Sequence, residues 1–250
     1  MPNQLTAYSD DNMEGLTKLA KLIKEKGNKA IMQLHHAGRE SVGTYQKFGK
    51  VFAPSAIEFP FLQYVPQELT HEEILEIIEA YGEATRRAIE AGYDGVEIVR
   101  YRITTEEVHG ENVGYTIDDT LVLVEEIVKS GVDYLHISSA GNSYDAMPTL
   151  GGKGEPLAAS IYKQVDGRTT VLVAGDISTP DKALDALNYA DVCMLGRTVL
   201  IDPDFVTKLE AGKEDEICYS VEGRLDDLAF PPILVGFWQM PGSPLPVIIR

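Results

Sequence analysis

The feature that most constrains the fold of this chain is a short pattern that occurs three times. In each copy a helical stretch ends, an aspartate follows, and a short apolar run begins. The copies read AGYDGVEI, SGVDYLHI and NYADVCML. Apolar runs that alternate with helices predict a parallel sheet covered by helices on both faces, with right-handed crossovers. The sequence therefore predicts an α/β fold, and a closed barrel and an open doubly wound sheet fit this pattern equally well.

Five apolar runs are expected to form the strands of this sheet. Helices separate them, and the clearest helices follow the capping residues Thr70, Thr116 and Thr179. The five runs occupy residues 30–34, 95–104, 134–138, 170–174 and 190–195. A closed barrel has eight strands, so five would leave strand edges without partners.

The run at residues 95–104 is unusual. It reads GVEIVRYRIT and looks like one strand of ten residues, whereas typical strands have about five or six. It also carries Glu97, Arg100 and Arg102 among apolar residues. Buried charges are costly unless they meet a ligand or each other, so this run is a candidate for a functional site.

The composition excludes several classes of partner. A formal net charge of −17 disfavours nucleic acid and anionic membrane surfaces. No run approaches the ~18 apolar residues that span a bilayer, and the polar start MPNQLTAYSDDN is unlike a signal peptide. The two cysteines give neither a disulfide framework nor metal-ligand spacing. We therefore expect a cytoplasmic protein without a bound metal.

Two of the predicted strands end in glycine. The segments are VLVAGDIST and VCMLGRTVL, which place Gly175, Gly196 and Arg197 just after the strands. Glycine lets a ligand approach the backbone closely, and the loops after the last two strands of a barrel commonly bind phosphate. The alternative is a pair of tight turns with a surface arginine. We favour the phosphate site, because both glycines and the arginine fall at the same kind of strand end.

A glutamine lies near the end of the first strand. Gln33 begins the segment QLHHAGR, which also contains His35, His36 and Arg39. Its amide offers a donor and an acceptor, which suits the edge of a heteroaromatic ring. From these residues alone, the better interpretation is a loop whose histidines cap backbone groups.

Taken together, these segments resemble the old yellow enzyme family, which comprises flavin-dependent ene-reductases and NADH:flavin oxidoreductases on a TIM barrel. The resemblance covers most of residues 29–205 and implies a TIM-barrel-derived fold that binds FMN. It further implies hydride transfer from NADH or NADPH through FMN to a small-molecule substrate, an activated alkene. The matching motifs are KAIMQLHHAGRES, VPQELTHEEI, RRAIEAGYDGVEI, YRIT, GVDYLHISSAG, VAGDIST and DVCMLGRTVLIDPDF.

The resemblance also implies roles for individual residues. Gln33 would bind the pyrimidine edge of the flavin, and Arg102 would lie beside N1 and O2 and stabilise negative charge on the reduced ring. The phosphate would be held by Gly175, Gly196 and Arg197.

The resemblance also suggests how the chain is organised. We expect a flavin-binding domain at residues 1–212 and a C-terminal arm at residues 213–250, rich in proline and aromatic residues. The arm either packs over the domain, which we favour, or forms an oligomer contact or a flap over a site.

The sequence departs from the family pattern in two places. Family members begin with a strand, a helix and a second strand that have no counterpart in this sequence. In the family, GVEI is followed by a His/His or His/Asn pair and a catalytic tyrosine, whereas here Ile98 is followed directly by Val99 and the YRIT motif. We therefore expect an incomplete barrel and assign no catalytic residue.

These departures leave alternatives open for structure and function. The chain is a truncated, spliced or engineered derivative of a whole enzyme, a part that another chain or a further copy of itself completes, or a rearranged open sheet. In function it is an FMN-dependent oxidoreductase impaired by the deletions, a flavin- or phosphate-binding remnant, or a self-associating fragment.

Overall fold

The computed structural model describes residues 5–59, 62–98, 102–109, 112–139 and 143–238. Contacts within the chain divide it into two compact units, Met1–Arg100 and Tyr101–Arg250. The division falls inside the unusual run at residues 95–104. A domain boundary at residue 212 stays a prediction. Each unit is described by itself below.

The first unit is built on a pair of parallel strands with two long helices. The strands Ile31–Leu34 (β1) and Gly95–Ile98 (β4) pair along their length. Small side chains at Ala20, Ala30 and Ala88 are almost fully buried and form a tightly packed core with Leu16 and Tyr93. The other elements are α1 (Met13–Lys24), α2 (Val42–Phe48), β2 (Phe52–Ala53), β3 (Gln67–Glu68) and α3 (His71–Glu90).

The long stretch between β1 and α3 has more structure than its sequence suggests. It contains α2 and the short parallel pair of β2 and β3. Seven residues make only two helical turns, too few for a periodic pattern to show in the sequence. The stretch is held by tertiary contacts: the rings of Tyr45 and Tyr64 stack with their centroids 4.1 Å apart, and the Tyr64 hydroxyl donates to the Arg39 carbonyl at 2.8 Å.

The second unit contains a four-stranded parallel sheet in the order β10, β9, β8, β5. Leu135, Ile137, Val171 and Val173 of its central strands are fully buried and form the core with the flanking helices. The strands are β5 (Arg102–Thr104), β6 (Glu107–His109), β7 (Asn112–Tyr115), β8 (Tyr134–Ser138), β9 (Thr170–Ala174) and β10 (Val192–Met194). The helices are α4 (Ile117–Lys129), α5 (Leu157–Val165), α6 (Pro180–Ala186), α7 (Arg197–Ile201), α8 (Phe205–Glu210) and α9 (Pro232–Trp238).

The run at residues 95–104 does not pair as one strand. Residues 95–98 form β4, which pairs with β1, and residues 102–104 form β5, which pairs with β8. Each half therefore has its own partner in its own sheet. Arg100 lies outside the described residues. The pattern of side chains predicted a strand on both sides of this point correctly, but it carries no signal for which neighbour each half selects.

Three further elements were not expected from the sequence. β6 and β7 form an antiparallel pair after β5, and the proline-rich arm contains α9, which begins at Pro232. Proline is compatible with the first turn of a helix, because its missing N–H would have no partner there and its φ suits the helix. The rest of the arm, residues 239–250, lies outside the described residues.

The α/β prediction is confirmed. Each of the five predicted runs contains a strand that pairs in parallel, and helices lie between them. The capping at Thr70 is also confirmed: its hydroxyl accepts from the Glu73 N–H at 3.2 Å, and the Glu73 carboxylate accepts from the Thr70 N–H at 2.8 Å. None of the sheets formed by the described residues closes into a barrel.

The aspartate of the repeated pattern ties a strand to its parallel neighbour. Just before β4, Asp94 accepts from the Ala30 N–H through Oδ2 at 2.9 Å and donates its own N–H to the Ala30 carbonyl at 2.7 Å. Just before β10, Asp191 accepts from the Val171 N–H at 2.7 Å and donates to the Val171 carbonyl at 2.9 Å. We call this paired contact the aspartate clamp. It occurs in two of the three copies of the pattern, those that contain Asp94 and Asp191.

The Asp94 clamp predicts an acid-sensitive contribution to stability. The hydrogen bond from the Ala30 N–H, with help from Lys24 and Lys29, lowers the pKa of Asp94 to about 2. Because this pKa is lower in the folded chain than in the unfolded chain, the contribution is complete above about pH 4 and is lost as the pH falls toward 2. We expect the unfolding free energy of Asp94→Asn to fall less than that of the wild type across this window.

Urea unfolding at a series of pH values measures this difference. Asp227→Asn is the control, since Asp227 is exposed on the surface. Its curve should run parallel to that of the wild type. Parallel curves for Asp94→Asn and the wild type would contradict the role given to the clamp.

Candidate functional site

The carboxyl ends of β8, β9 and β10 lie at one edge of the sheet in the second unit. In the register of these strands, Ala174 lies opposite Ser138 on one side and Met194 on the other. The residues that follow, including Gly175 and Gly196, therefore leave the sheet at the same edge. This edge is where ligands bind in folds built from parallel strands and helices.

The loops that follow β9 and β10 are joined directly. The Thr198 hydroxyl donates to the Ile177 carbonyl at 2.5 Å, and Thr198 is buried. Beside this bond, Arg197 Nη2 lies 3.4 Å from Asp176 Oδ1. The structure thus brings Arg197 to the loop that begins with Gly175.

Three polar residues of this edge were missed by the sequence analysis. Lys182 Nζ lies 2.5 Å from Asp176 Oδ2 and 3.4 Å from Ser178 Oγ. Two cations, Lys182 and Arg197, therefore converge on the single carboxylate of Asp176. In the sequence Asp176 follows Gly175 directly and Lys182 lies six positions further on, but this spacing alone does not predict their contact.

The backbone of Asp176 is in the left-handed region, with φ of 45°. Few residues other than glycine adopt this conformation, although aspartate and asparagine tolerate it better than most. The adjacent Gly175 also has a positive φ. A conformationally demanding turn therefore coincides with the converging charges, which is common at functional sites.

Two further residues line this end of the sheet. Ser139 follows β8, is only 5% exposed, and its hydroxyl has no hydrogen-bond partner among the described residues. Tyr144 donates its N–H to the Gly175 carbonyl at 3.1 Å and its hydroxyl to Asp185 at 2.9 Å. Burial, assisted by Asp185, raises the pKa of Tyr144 above its ordinary value. Tyr144 thus fixes the loop through its N–H, and its hydroxyl hydrogen points at Asp185. A buried hydroxyl in this position is not available to protonate a substrate.

Gln33 belongs to the first unit and lies on β1, as predicted. Its amide N–H donates to the carboxylate of Glu97, which lies opposite it on β4 and is 8% exposed. Gln33 also lines a cavity of about 680 Å³ together with His35 and His36. The other walls of this cavity are mainly apolar side chains of α1 and α3. The volume is within the range of small-molecule sites.

Arg102 begins β5, where it lies opposite His136 in the register. Its side chain lies outside the part of the chain that the structure describes. The structure therefore places Gly175, Gly196 and Arg197 at one sheet edge of the second unit and Gln33 in the first unit. Their roles in binding a cofactor stay predictions.

Metal-binding clusters and membrane-spanning helices are both absent from the described ranges. No three His, Cys, Asp or Glu side chains among these residues converge in a way that would hold a metal ion. None of the helices in the same ranges is both long enough and apolar enough to cross a membrane.

Known proteins similar to this chain are flavin oxidoreductases. Residues 1–102 match the family model of the NADH:flavin oxidoreductase / NADH oxidase family. An uncharacterized oxidoreductase of Streptococcus pyogenes is 30% identical over 284 residues, which cover 89% of this chain and 71% of that protein. The NADH:fumarate oxidoreductase of Klebsiella pneumoniae is 28% identical over 282 residues, which cover 86% of this chain and 29% of that protein.

A solved structure supports the fold. The structure of 2-naphthoyl-CoA reductase superposes with a TM-score of 0.63 at 18% identity, covering 86% of this chain and 43% of that protein. The neighbours of this chain are TIM-barrel oxidoreductases, so the predicted TIM-barrel-derived α/β fold with an incomplete barrel is confirmed.

The matched regions of the two relatives are longer than this chain. The two relatives match over 284 and 282 residues, and this chain has only 250. The relatives therefore contain residues inside the matched regions that have no counterpart here. This agrees with the predicted absence of a segment inside the chain.

The Thr198 bond predicts a measurable contribution to the stability of this edge. Thr198→Val removes the hydroxyl and leaves the Ile177 carbonyl without its donor, which should lower the unfolding free energy by about 1–3 kcal/mol. Thr198→Ser keeps the hydroxyl and should lose less. Urea unfolding measures both variants. A loss in Thr198→Ser as large as or larger than that in Thr198→Val would contradict the role given to the hydrogen bond, because serine keeps the hydroxyl and valine keeps a methyl group.

Proposed function

Because this chain belongs to the NADH:flavin oxidoreductase / NADH oxidase family, which is the old yellow enzyme family, we propose that it binds FMN and reduces it with NADH or NADPH. The predicted cofactors, FMN and a nicotinamide reductant, are those of this family. The observation that carries the proposal is the convergence of Lys182 and Arg197 on one anion at the carboxyl edge of the sheet.

The residues of this edge fit a phosphate group. The planar guanidinium of Arg197 can donate two parallel hydrogen bonds to phosphate oxygens, and the Lys182 ammonium adds a second positive charge. The space next to Gly196 is open, with no atom within 4 Å of the position that a Cβ would take. A ligand can therefore approach the backbone there. The Asp176 carboxylate already shows that the two cations hold an oxyanion.

We assign the flavin ring to the remaining predicted residues. Gln33 would bond the pyrimidine edge, and Arg102 would stabilise negative charge near N1 and O2. One N–H of the Gln33 amide donates to Glu97. The amide oxygen and the second N–H would therefore form the hydrogen bonds to the flavin ring. FMN held in this way would accept a hydride from NAD(P)H and pass it on.

We propose an activated alkene as the final acceptor. Fumarate, in the name of the Klebsiella pneumoniae relative, has a double bond flanked by carboxylates. The family's carbonyl-binding pair and tyrosine donor have no counterpart between Ile98 and Val99, and Tyr144 does not replace the donor, because its hydroxyl is bonded to Asp185. We therefore propose that flavin reduction persists while alkene reduction is impaired, so that the chain serves mainly as a flavin-binding remnant.

Comparison of the two half-reactions tests this separation. NADH should bleach the absorbance of the flavoprotein anaerobically faster than it bleaches free FMN at the same concentration. Turnover of 2-cyclohexenone should be slower than bleaching by about 100-fold or more, because a positioned general acid contributes about 10²–10⁴-fold. Equal rates of bleaching and enone turnover would refute the impairment, and a chain that takes up no FMN would refute the function.

The phosphate contact is tested by Arg197→Met. Loss of a hydrogen bond to a charged group costs about 1.5–3 kcal/mol, so the Kd for FMN should rise roughly 10- to 150-fold. Riboflavin has no phosphate, and its Kd should not change. Arg168→Met is the matched control, since Arg168 pairs with Glu125 and precedes the amino end of β9. Fluorescence titration gives both constants, and equal FMN affinity in the two variants would remove Arg197 from the site.

A further inference from the structure

We propose that the Asp176 carboxylate is an internal competitor for the FMN phosphate, so that this residue sets the affinity of the chain for phosphate-bearing ligands. The inference rests on the proposed function, because it concerns the same two cations, Lys182 and Arg197. It adds a residue that opposes binding.

The geometry is that of an occupied anion site. One oxygen of Asp176 lies 3.4 Å from Arg197 Nη2, and the other lies 2.5 Å from Lys182 Nζ. A phosphate held by these two groups would compete with the carboxylate for the N–H groups that now face Asp176. The phosphate would also lie beside the negatively charged carboxylate of Asp176, and the repulsion between the two anions is unfavourable for binding. The carboxylate therefore weakens phosphate binding as long as it stays in this position.

Stability alone does not account for this arrangement. The side chains of Asp176, Lys182 and Arg197 are 45%, 39% and 40% exposed, and exposed ion pairs contribute little to folding. Against this small gain, Asp176 adopts a φ of 45°, which glycine would adopt more easily. Asp176 therefore has a conformational cost and forms only weak ion pairs. Its presence is better explained by an effect on ligand binding at this edge.

Removal of the carboxylate should leave the two cations in place. Lys182 Nζ also lies 3.3 Å from the Asp176 carbonyl oxygen and 3.4 Å from Ser178 Oγ, and its own N–H is capped by the Thr179 hydroxyl. Arg197 directly precedes Thr198, which is fixed by its bond to the Ile177 carbonyl. A substitution at position 176 therefore exposes donors that are already positioned.

The experiment measures binding constants for FMN, inorganic phosphate and riboflavin. Asp176→Asn removes the charge and keeps the size of the side chain, and Asp176→Gly also relieves the backbone. Both should bind FMN and phosphate roughly tenfold more tightly or better than the wild type, with the Kd for riboflavin unchanged. Asp181→Asn is the matched control. It removes the same charge from an exposed position in the first turn of α6, and should change the three constants little.

The outcomes separate this inference from the proposed function. Equal gains in Asp176→Asn and Asp181→Asn, or weaker FMN binding in both Asp176 variants, would overturn the competitor role. An unchanged Kd in both Asp176 variants, with weaker binding in Arg197→Met, would overturn the competitor and leave the FMN site standing. FMN binding that appears only in the Asp176 variants would support the competitor. No FMN or phosphate binding in any variant would overturn both.

Discussion

The aspartate clamp is the interaction on which the candidate sites depend. Asp94 joins the start of β4 to Ala30, and this sets the register that places Gln33 opposite Glu97. Asp191 does the same for β10 and β9, whose carboxyl ends carry the glycines of the predicted phosphate site. A slip of one residue would turn every side chain to the opposite face of the sheet. Two hydrogen bonds at the amino end of a strand therefore decide which groups meet several residues later, at its carboxyl end.

Local chemistry made much of the fold predictable from the sequence. The cap at Thr70, the glycines after β9 and β10, and the apolar runs are each determined by a few neighbouring residues. The run at residues 95–104 was different, because the choice of β1 and β8 as partners depends on contacts distant in sequence. The helices α2 and α9 have seven residues each and are too short to show a period. Lys182 was missed because its partner is defined by the turn at Asp176, which only the structure shows.

The groups that would bind a cofactor phosphate and the group that would protonate a substrate are affected differently in this chain. The groups suited to an oxyanion are present and converge at one edge of a sheet, whereas the family's proton donor has no counterpart in the sequence. Tyr144 shows why a nearby tyrosine is no substitute: its ring is buried in the core and its hydroxyl donates to Asp185. Recognition of a cofactor needs a few fixed donors at strand ends. Protonation of a substrate needs an acid at one defined position. The family's tyrosine donor supplies that acid, and the segment that contains it has no counterpart in this sequence.

The clamp also bears on how such a chain can arise. In each clamped pair, the aspartate just before one strand fixes the register by its hydrogen bonds to the start of the neighbouring strand. The register inside a pair therefore does not depend on segments elsewhere in the chain. A stretch between two such pairs can therefore be removed or exchanged while each pair keeps its alignment. The relatives do contain residues inside the matched regions that have no counterpart here. In this sense the two clamped pairs of the described residues are separately registered modules.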